Sequence, residues 1–263
     1  AMNTDVEVAA CADEEEAIVV DVAAHFAAAE RRFSRFRDDS ELSALNRAKG
    51  PFIASRQLFE MLLRARVYVE MTAGLFDPGM GATLCALGYD RSFAPGALDR
   101  EFASRPPHRG RFLDVVLEHD SRTVWRPRHV QIDLGGIAKG TTIDLAALRL
   151  RGPGAIDAGG DAVVRGPSPK GERWLVDIED PADSFRTLAT IAASDAAVAT
   201  SAANRRRWRV GGGSAHHLID PRTRTSSASD LVQATVVASS AELADVLAKT
   251  TLLLGARAGR RFL

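Results

Sequence analysis

The chain has two cysteines, Cys11 and Cys85, in 263 residues, and they lack the CxxC spacing of a metal or redox site. A disulfide framework is therefore excluded, and both thiols are expected to be buried small hydrophobes. An excess of charge is equally lacking: 34 basic side chains balance 34 acidic ones, which argues against a nucleic-acid binder held by phosphate contacts. No apolar run approaches the roughly 20 residues that span a bilayer. No fixed-period repeat or low-complexity stretch points to a solenoid or propeller. Lysine is scarce, with Lys49, Lys139, Lys170 and Lys249 the only lysines among the 34 basic residues, so a lysine inside a motif is a less casual choice than usual.

What is present is the composition of an ordinary globular protein, 46% hydrophobic and 26% charged. The length suits one large α/β domain or two intimately packed subdomains. Val8-Ala9-Ala10-Cys11 imitates a lipoprotein cleavage box, but Asp5 and Glu7 stand where its apolar core would lie, so Val6 to Ala10 reads as strand. Acidic Asp13 to Glu16 then open a helix with Ile18, Val22, Phe26, Ala29 and Phe33 as its stripe. A second helix runs from about Ser55 to Thr72, with Leu58, Leu62, Ala65 and Val69 inward and Gly74 as its stop. A third follows Gly140 and ends at Gly152.

Phe112 to Leu134 reads as a hairpin turning near His119 to Arg122, plus a further strand. Short apolar runs at Ala155 to Ile156, Ala162 to Val164, Trp174 to Ile178, Ala189 to Ala192 and Leu231 to Ala238 suggest a mixed sheet. The last helix is marked by Ser239 and Glu242 as a capping box, with Leu243, Val246, Leu247, Thr250 and Leu254 along one face up to Gly255. Arg91 to Arg111 and Arg205 to Ser214 read as irregular loops.

The segment Val130 to Asp144, VQIDLGGIAKGTTID, is a strand, a Gly135-Gly136 turn and a helix start holding Lys139. Backbone amides at the positive end of a helix seat phosphate oxygens, and Lys139 adds a full charge. The spacing is not that of a P-loop, and a tight strand-to-helix turn with a surface lysine is the plainer alternative. In Ile156 to Gly166, Asp157 and Asp161 flank Gly159-Gly160. Those carboxylates either accept hydrogen bonds from a sugar or adenine amine, or bond their own turn backbone. HHLIDPRT, His216 to Thr223, offers an imidazole whose ordinary pKa suits a general base, against a surface histidine pair. Arg205 to Arg207 either attract phosphate or form a solvated loop. Asp245 lies at the rim of the last helix's apolar face, as a hard-cation ligand or as the partner of Lys249, four residues on.

The order and wording of these stretches resemble the ApbE family of FAD:protein FMN transferases. The matching segments are MNTDVEV near the start, FSRFRDDSELSALN from Phe33, FDPGMG from Phe76, IDLGGIAKG from Ile132, DAGGD from Asp157, ATS from Ala199, HHLIDPRT from His216, and ADVLAK with LLLG from Ala244. The resemblance implies one ApbE-like domain over 2–263, of mixed α/β fold, with FAD in a cleft between two packed subdomains. It implies cleavage of the FAD pyrophosphate and attachment of FMN to a Thr or Ser of an acceptor flavoprotein, with AMP released. The alternatives are FAD hydrolysis to FMN and AMP, and a non-catalytic flavin-binding protein.

The resemblance further implies His217 as the group that activates the acceptor hydroxyl and Lys139 as a catalytic cation. Ser40, Glu41, Asn46, Asp77, Gly135, Gly136, Asp161, Thr200 and Asp220 are expected to shape the flavin site. Magnesium is expected on the Ala138 carbonyl and the Asp245 carboxylate. Four departures stand against the pattern: Lys249 replaces a threonine ligand of the metal, Phe36 is the flavin-stacking aromatic, Asp157 replaces asparagine, and Arg224 replaces glycine. Family members are often exported or lipid-anchored, whereas this chain shows no signal segment, so a cytoplasmic protein or one with its leader outside these residues is expected.

Overall fold

The computed structural model describes residues 2, 4–10, 15–92, 101–102 and 110–263, apart from the side chains of 15, 101, 102 and 184. Cys11, the acidic residues Asp13 and Glu14 and most of the loop 91–111 lie outside the described residues. The helices are α1 (Glu15–Phe33), α2 (Glu41–Arg47), α3 (Arg56–Met71), α4 (Gly81–Ala86), α5 (Ala138–Ala147), α6 (Ala241–Leu254) and α7 (Ala256–Phe262).

The main sheet has the order β1-β6-β7-β10-β15, formed by β1 (Val6–Ala10), β6 (Gly154–Ala158), β7 (Ala162–Arg165), β10 (Ala196–Ala202) and β15 (Gln233–Ala238). Every pairing in it is antiparallel. Around it lie smaller sheets: β2 (Phe52–Ile53) with the hairpin β4 (Val116–Glu118) and β5 (Thr123–Trp125), and the long hairpin β8 (Trp174–Asp180) and β9 (Asp183–Ala193). The hairpin β11 (Arg207–Val210) and β12 (Gly213–His216) carries β3 (Glu101–Phe102), and β13 (Ile219–Asp220) pairs with β14 (Thr225–Ser226). Parallel pairing within these sheets is confined to β11 and β3.

Two large apolar clusters, with two smaller ones beside them, fill the interior. One joins α2 and α3 to Phe76, Phe112, Ile132, Leu134 and Ile137. The other packs Ile18, Val22 and Phe26 of α1 and Ile143 of α5 on Ile156, Ala197 and Ala199 of the sheet. The expected stripe of α3 is thus buried, as is that of α1 apart from Phe33, which is half-buried. α5 and α6 contribute to both clusters and cross closely because Gly140 has no side chain: a Cβ there would lie 2.6 Å from the Ala241 carbonyl oxygen. Asp144, one turn on, accepts from the Ala241 and Glu242 amides at 2.7 and 2.9 Å. These bonds satisfy amides that a helix N-terminus leaves unpaired.

The structure corrects several expectations. α5 starts at Ala138 and ends at Ala147, so Lys139 stands inside its first turn. The cap of α6 is Ser240, which accepts from Leu243 N. Glu242 makes no capping box; its side chain turns inward and accepts from Thr141 Oγ1 at 2.5 Å. α6 has no single apolar face, because Ala244, Asp245, Val246, Ala248, Thr250, Thr251, Leu252 and Leu253 are all buried between the sheet, α5 and α7. The strand expected after the Val116–Trp125 hairpin is an irregular segment with a single bridge, Met80 to Gln131. The stretch read as a loop at 205–214 forms the β11–β12 hairpin, turned by Gly211 and Gly212 at φ of 52° and 77°.

Gly140→Ala tests the α5–α6 crossing. Alanine favours helix over glycine by about 1 kcal/mol, but the new methyl meets backbone atoms that cannot rotate away. Overpacking is expected to win, with a net loss of about 1–3 kcal/mol in urea unfolding; a variant as stable as the parent contradicts the close approach.

Candidate active site

A cleft of about 700 Å³ opens where the glycine turn, the end of β6, the middle of β10, the inner face of α6 and the segment after β12 meet. Of the residues expected from sequence, Asp77, Gly135, Gly136, Ala138, Lys139, Asp161, Thr200, His217 and Asp245 line it. The turn is shaped locally: Asp133 accepts from Gly135 N at 2.6 Å. Asn46 clamps the segment just before it, donating to the Ile132 carbonyl and accepting from Ile132 N, both at 2.8 Å. No side chain caps α5; Ile137 N and Ala138 N donate to the Leu134 carbonyl at 3.0 and 2.8 Å, so an anion at this end would meet the Lys139 and Gly140 amides.

Charges inside the cleft are arranged in pairs and exceptions. Lys139 Nζ lies 2.5 Å from Asp161 Oδ2 and donates to the Ala158 carbonyl at 3.3 Å. Asp161 also accepts from Thr200 N at 3.1 Å. Arg35 Nε lies 2.5 Å from Asp133. Burial works against the Asp133 carboxylate, but Arg35 and the Gly135 amide outweigh it and hold the carboxyl below its usual value.

Asp245 is the exception: it is buried, and its Oδ2 has no hydrogen-bond partner among the described residues. Burial, followed by repulsion from Asp161, pushes its carboxyl up to about 6. His217 is displaced the other way, well below the ordinary histidine value, by burial and by the cations Arg206 and Lys249. A neutral imidazole with its Nδ1 unpartnered among the described residues suits a proton acceptor at neutral pH.

Phe36, Tyr89, Arg205, Arg206 and Lys249 also line the cleft. The Phe36 and Tyr89 rings lie 5.2 Å apart, tilted by 58°, and the Arg35 guanidinium sits 4.1 Å from the Phe36 centroid. This is an aromatic face stiffened by a cation.

Four expected residues are not brought to the cleft: Asn46, which clamps Ile132, and Ser40, Glu41 and Asp220. Ser40 caps α2, accepting from Ser43 N and donating to the Ser34 carbonyl. Glu41 binds the amide and hydroxyl of Ser55, both at 2.6 Å, and so ties α2 to the start of α3. Asp220 is held by Arg222, whose Nη2 lies 2.7 Å from Oδ2. Of the two histidines, His216 faces the Ser227 carbonyl at 3.0 Å, and His217 faces the cleft. Asp157, the other acidic-turn residue, lines the cleft and accepts from Gly160 N at 3.2 Å. Arg224 holds a left-handed φ of 61° while donating to the Gly110 carbonyl at 3.1 Å. Sequence reading did not single out Arg35, Asp133 or Tyr89. The first two lie inside quoted motifs, but their pairing spans 98 residues, and no local spacing announces it.

The fold and cleft define a mixed α/β protein with a glycine turn, Lys139 and a buried histidine on one cleft. The chain belongs to the ApbE family, whose model matches residues 2–263. It is 31% identical over 243 residues to the FAD:protein FMN transferase of Treponema pallidum, covering 83% of this chain and 66% of that one. With the enzyme of the same name from Vibrio cholerae it shares 28% over 237 residues, covering 87% and 70%. The ApbE protein of Thermotoga maritima superposes with a TM-score of 0.87 at 24% identity, over 100% of this chain and 87% of that one. Flavin transferase ApbE from Vibrio cholerae superposes at 0.78 and 24% identity, over 95% and 82%; at these identities the superpositions show a shared fold. Among the described residues no helix is long and apolar enough to cross a membrane.

Asn46→Ala would leave the N–H and C=O of fully buried Ile132 unpaired. A loss of about 1–3 kcal/mol in chemical denaturation is expected; no loss means the clamp does not hold the turn.

Proposed function

We propose that this protein is an FAD:protein FMN transferase, with Lys139, His217 and the Gly135-Gly136 turn acting on the FAD diphosphate. The observation that carries this reading is the convergence of that turn, Lys139 and His217 on one cleft. Phosphoryl-type transfer needs alignment and charge neutralisation more than covalent help. The Lys139 and Gly140 amides of α5 and the Lys139 ammonium, steered by Asp161, supply donors to the diphosphate. Phe36 and Tyr89 present aromatic faces to the flavin ring, and Asp77, Asp157 and Thr200 bound the remaining space.

The acceptor's Thr or Ser oxygen attacks the phosphorus on the FMN side, its proton passes to His217, and the P–O bond to AMP breaks. The products are a phosphoester-linked flavin on the acceptor and AMP. Burial and the neighbouring cations keep His217 unprotonated, so it enters the reaction as a base without first losing a proton to solvent.

Magnesium on Ala138 and Asp245 is the part of the family expectation that these residues fit poorly. Magnesium demands a near-octahedral oxygen shell. Here the Ala138 carbonyl already accepts from Thr142 Oγ1 at 2.6 Å, Asp161 is engaged by Lys139, and Thr250 Oγ1 donates to the Val246 carbonyl at 2.8 Å. Among the described residues no three His, Cys, Asp or Glu side chains gather as a metal set. The ammonium of Lys249 shares the wall and would repel a dication.

Incubation with FAD and a threonine-bearing flavin-acceptor domain, in parallel buffers containing magnesium and EDTA, is expected to yield AMP and covalent flavin fluorescence on the acceptor in denaturing gels. AMP without labelling would identify a hydrolase, and no AMP in either buffer would overturn the reading. His217→Ala should lower kcat on the order of a hundredfold or more while FAD still binds. Because the His217 pKa is depressed from 6.5 in the free protein, the acid limb of kcat/KM should lie below pH 6.5. An acid limb at or above that value contradicts the assignment.

A further inference from the structure

Resting on the transferase reading, we propose that the ammonium of Lys249 neutralises the FAD diphosphate where a divalent ion would otherwise do so, and that nucleotide binding is independent of such an ion. Among the cleft's two lysines the pairing is unequal. Lys139 is matched by Asp161 at 2.5 Å. Lys249 has no carboxylate within ion-pair distance among the described residues, and its Nζ lies 5.7 Å from the centroid of the Phe76 ring. An ammonium in that state is available to an incoming anion.

Its location fits that task. Lys249 stands one turn after Asp245 on α6 and reaches the glycine turn so closely that a Cβ on Gly136 would fall 1.7 Å from its Nζ. Glycine at 136 thus leaves the space the ammonium occupies. The same charge is felt by Asp133, Asp245 and His217, which places it among the groups that surround the turn. Three N–H donors allow one ammonium to meet more than one oxygen of the diphosphate, the charge-neutralising role of a small cation. A dication set beside it would be repelled by the same charge that attracts the phosphate.

The test measures FAD binding by flavin fluorescence quenching and ADP binding by calorimetry, each in EDTA and in millimolar magnesium. For the parent protein, the FAD dissociation constant should agree within about twofold between the two buffers. Lys249→Gln, which keeps the stem's length, should weaken FAD at least about tenfold in EDTA. Lys249→Thr should do the same, with magnesium restoring much of the loss by supplying the missing charge. Thermal melting of both variants checks that they fold, and the two differ enough in packing that one serves if the other does not.

The inference is overturned if the parent releases FAD when magnesium is chelated, or if folded Lys249→Gln binds FAD in EDTA as tightly as the parent. Failure of the parent to bind FAD in both buffers would overturn the transferase reading itself, and this inference with it.

Discussion

Gly140 lets the backbone of α5 meet the first turn of α6 with nothing between them, and Asp144 fastens the crossing by accepting two α6 amides. The consequences run through the whole site. The crossing fixes the start of α5, which carries the glycine turn and Lys139, against the part of α6 that carries Asp245 and Lys249. Both large apolar clusters are anchored on these two helices. A shift of α6 would therefore disturb the core and the cleft together, so the stability of the fold and the geometry of the chemistry are coupled through one contact.

On that frame the cleft tolerates ionisable groups that an ordinary interior would reject. Two pairs, Lys139 with Asp161 and Arg35 with Asp133, hold their charges by direct contact. Asp245 and His217 lack such partners, and burial displaces each toward its neutral form. Unpaired buried polar atoms cost stability. A site retains them when a ligand supplies the missing contacts, and perturbed groups gathered in a cleft are the physical mark of such a site. The dianionic diphosphate of FAD matches the cations Lys249 and Arg206 that face the same space.

Local patterning made much of this legible. The stripes of α1 and α3 rest on spacings of three and four residues, and β1 and the Val116–Trp125 hairpin on short apolar runs bounded by turn residues. The α6 cap was displaced by one residue because Ser239 and Ser240 are adjacent and chemically equivalent in sequence. Glu242 misled for a different reason: its partner, Thr141, is 101 residues away. Ser40, Glu41 and Asp220 belong to recognisable motifs yet act as a helix cap, a helix-to-helix tie and a turn anchor. Motif membership does not distinguish a group that touches a ligand from one that holds the loop beside it. The main sheet's wholly antiparallel order was hidden because strand direction is set by pairings between distant segments.

The most direct measurement of the central claim is a crystal structure of the protein with FAD bound. The account predicts the diphosphate against the Gly135-Gly136 turn, within hydrogen-bond reach of Lys139 or Lys249, and with His217 on the side open to an acceptor hydroxyl. A diphosphate seated away from the N-terminus of α5, with those three side chains turned elsewhere, would contradict it.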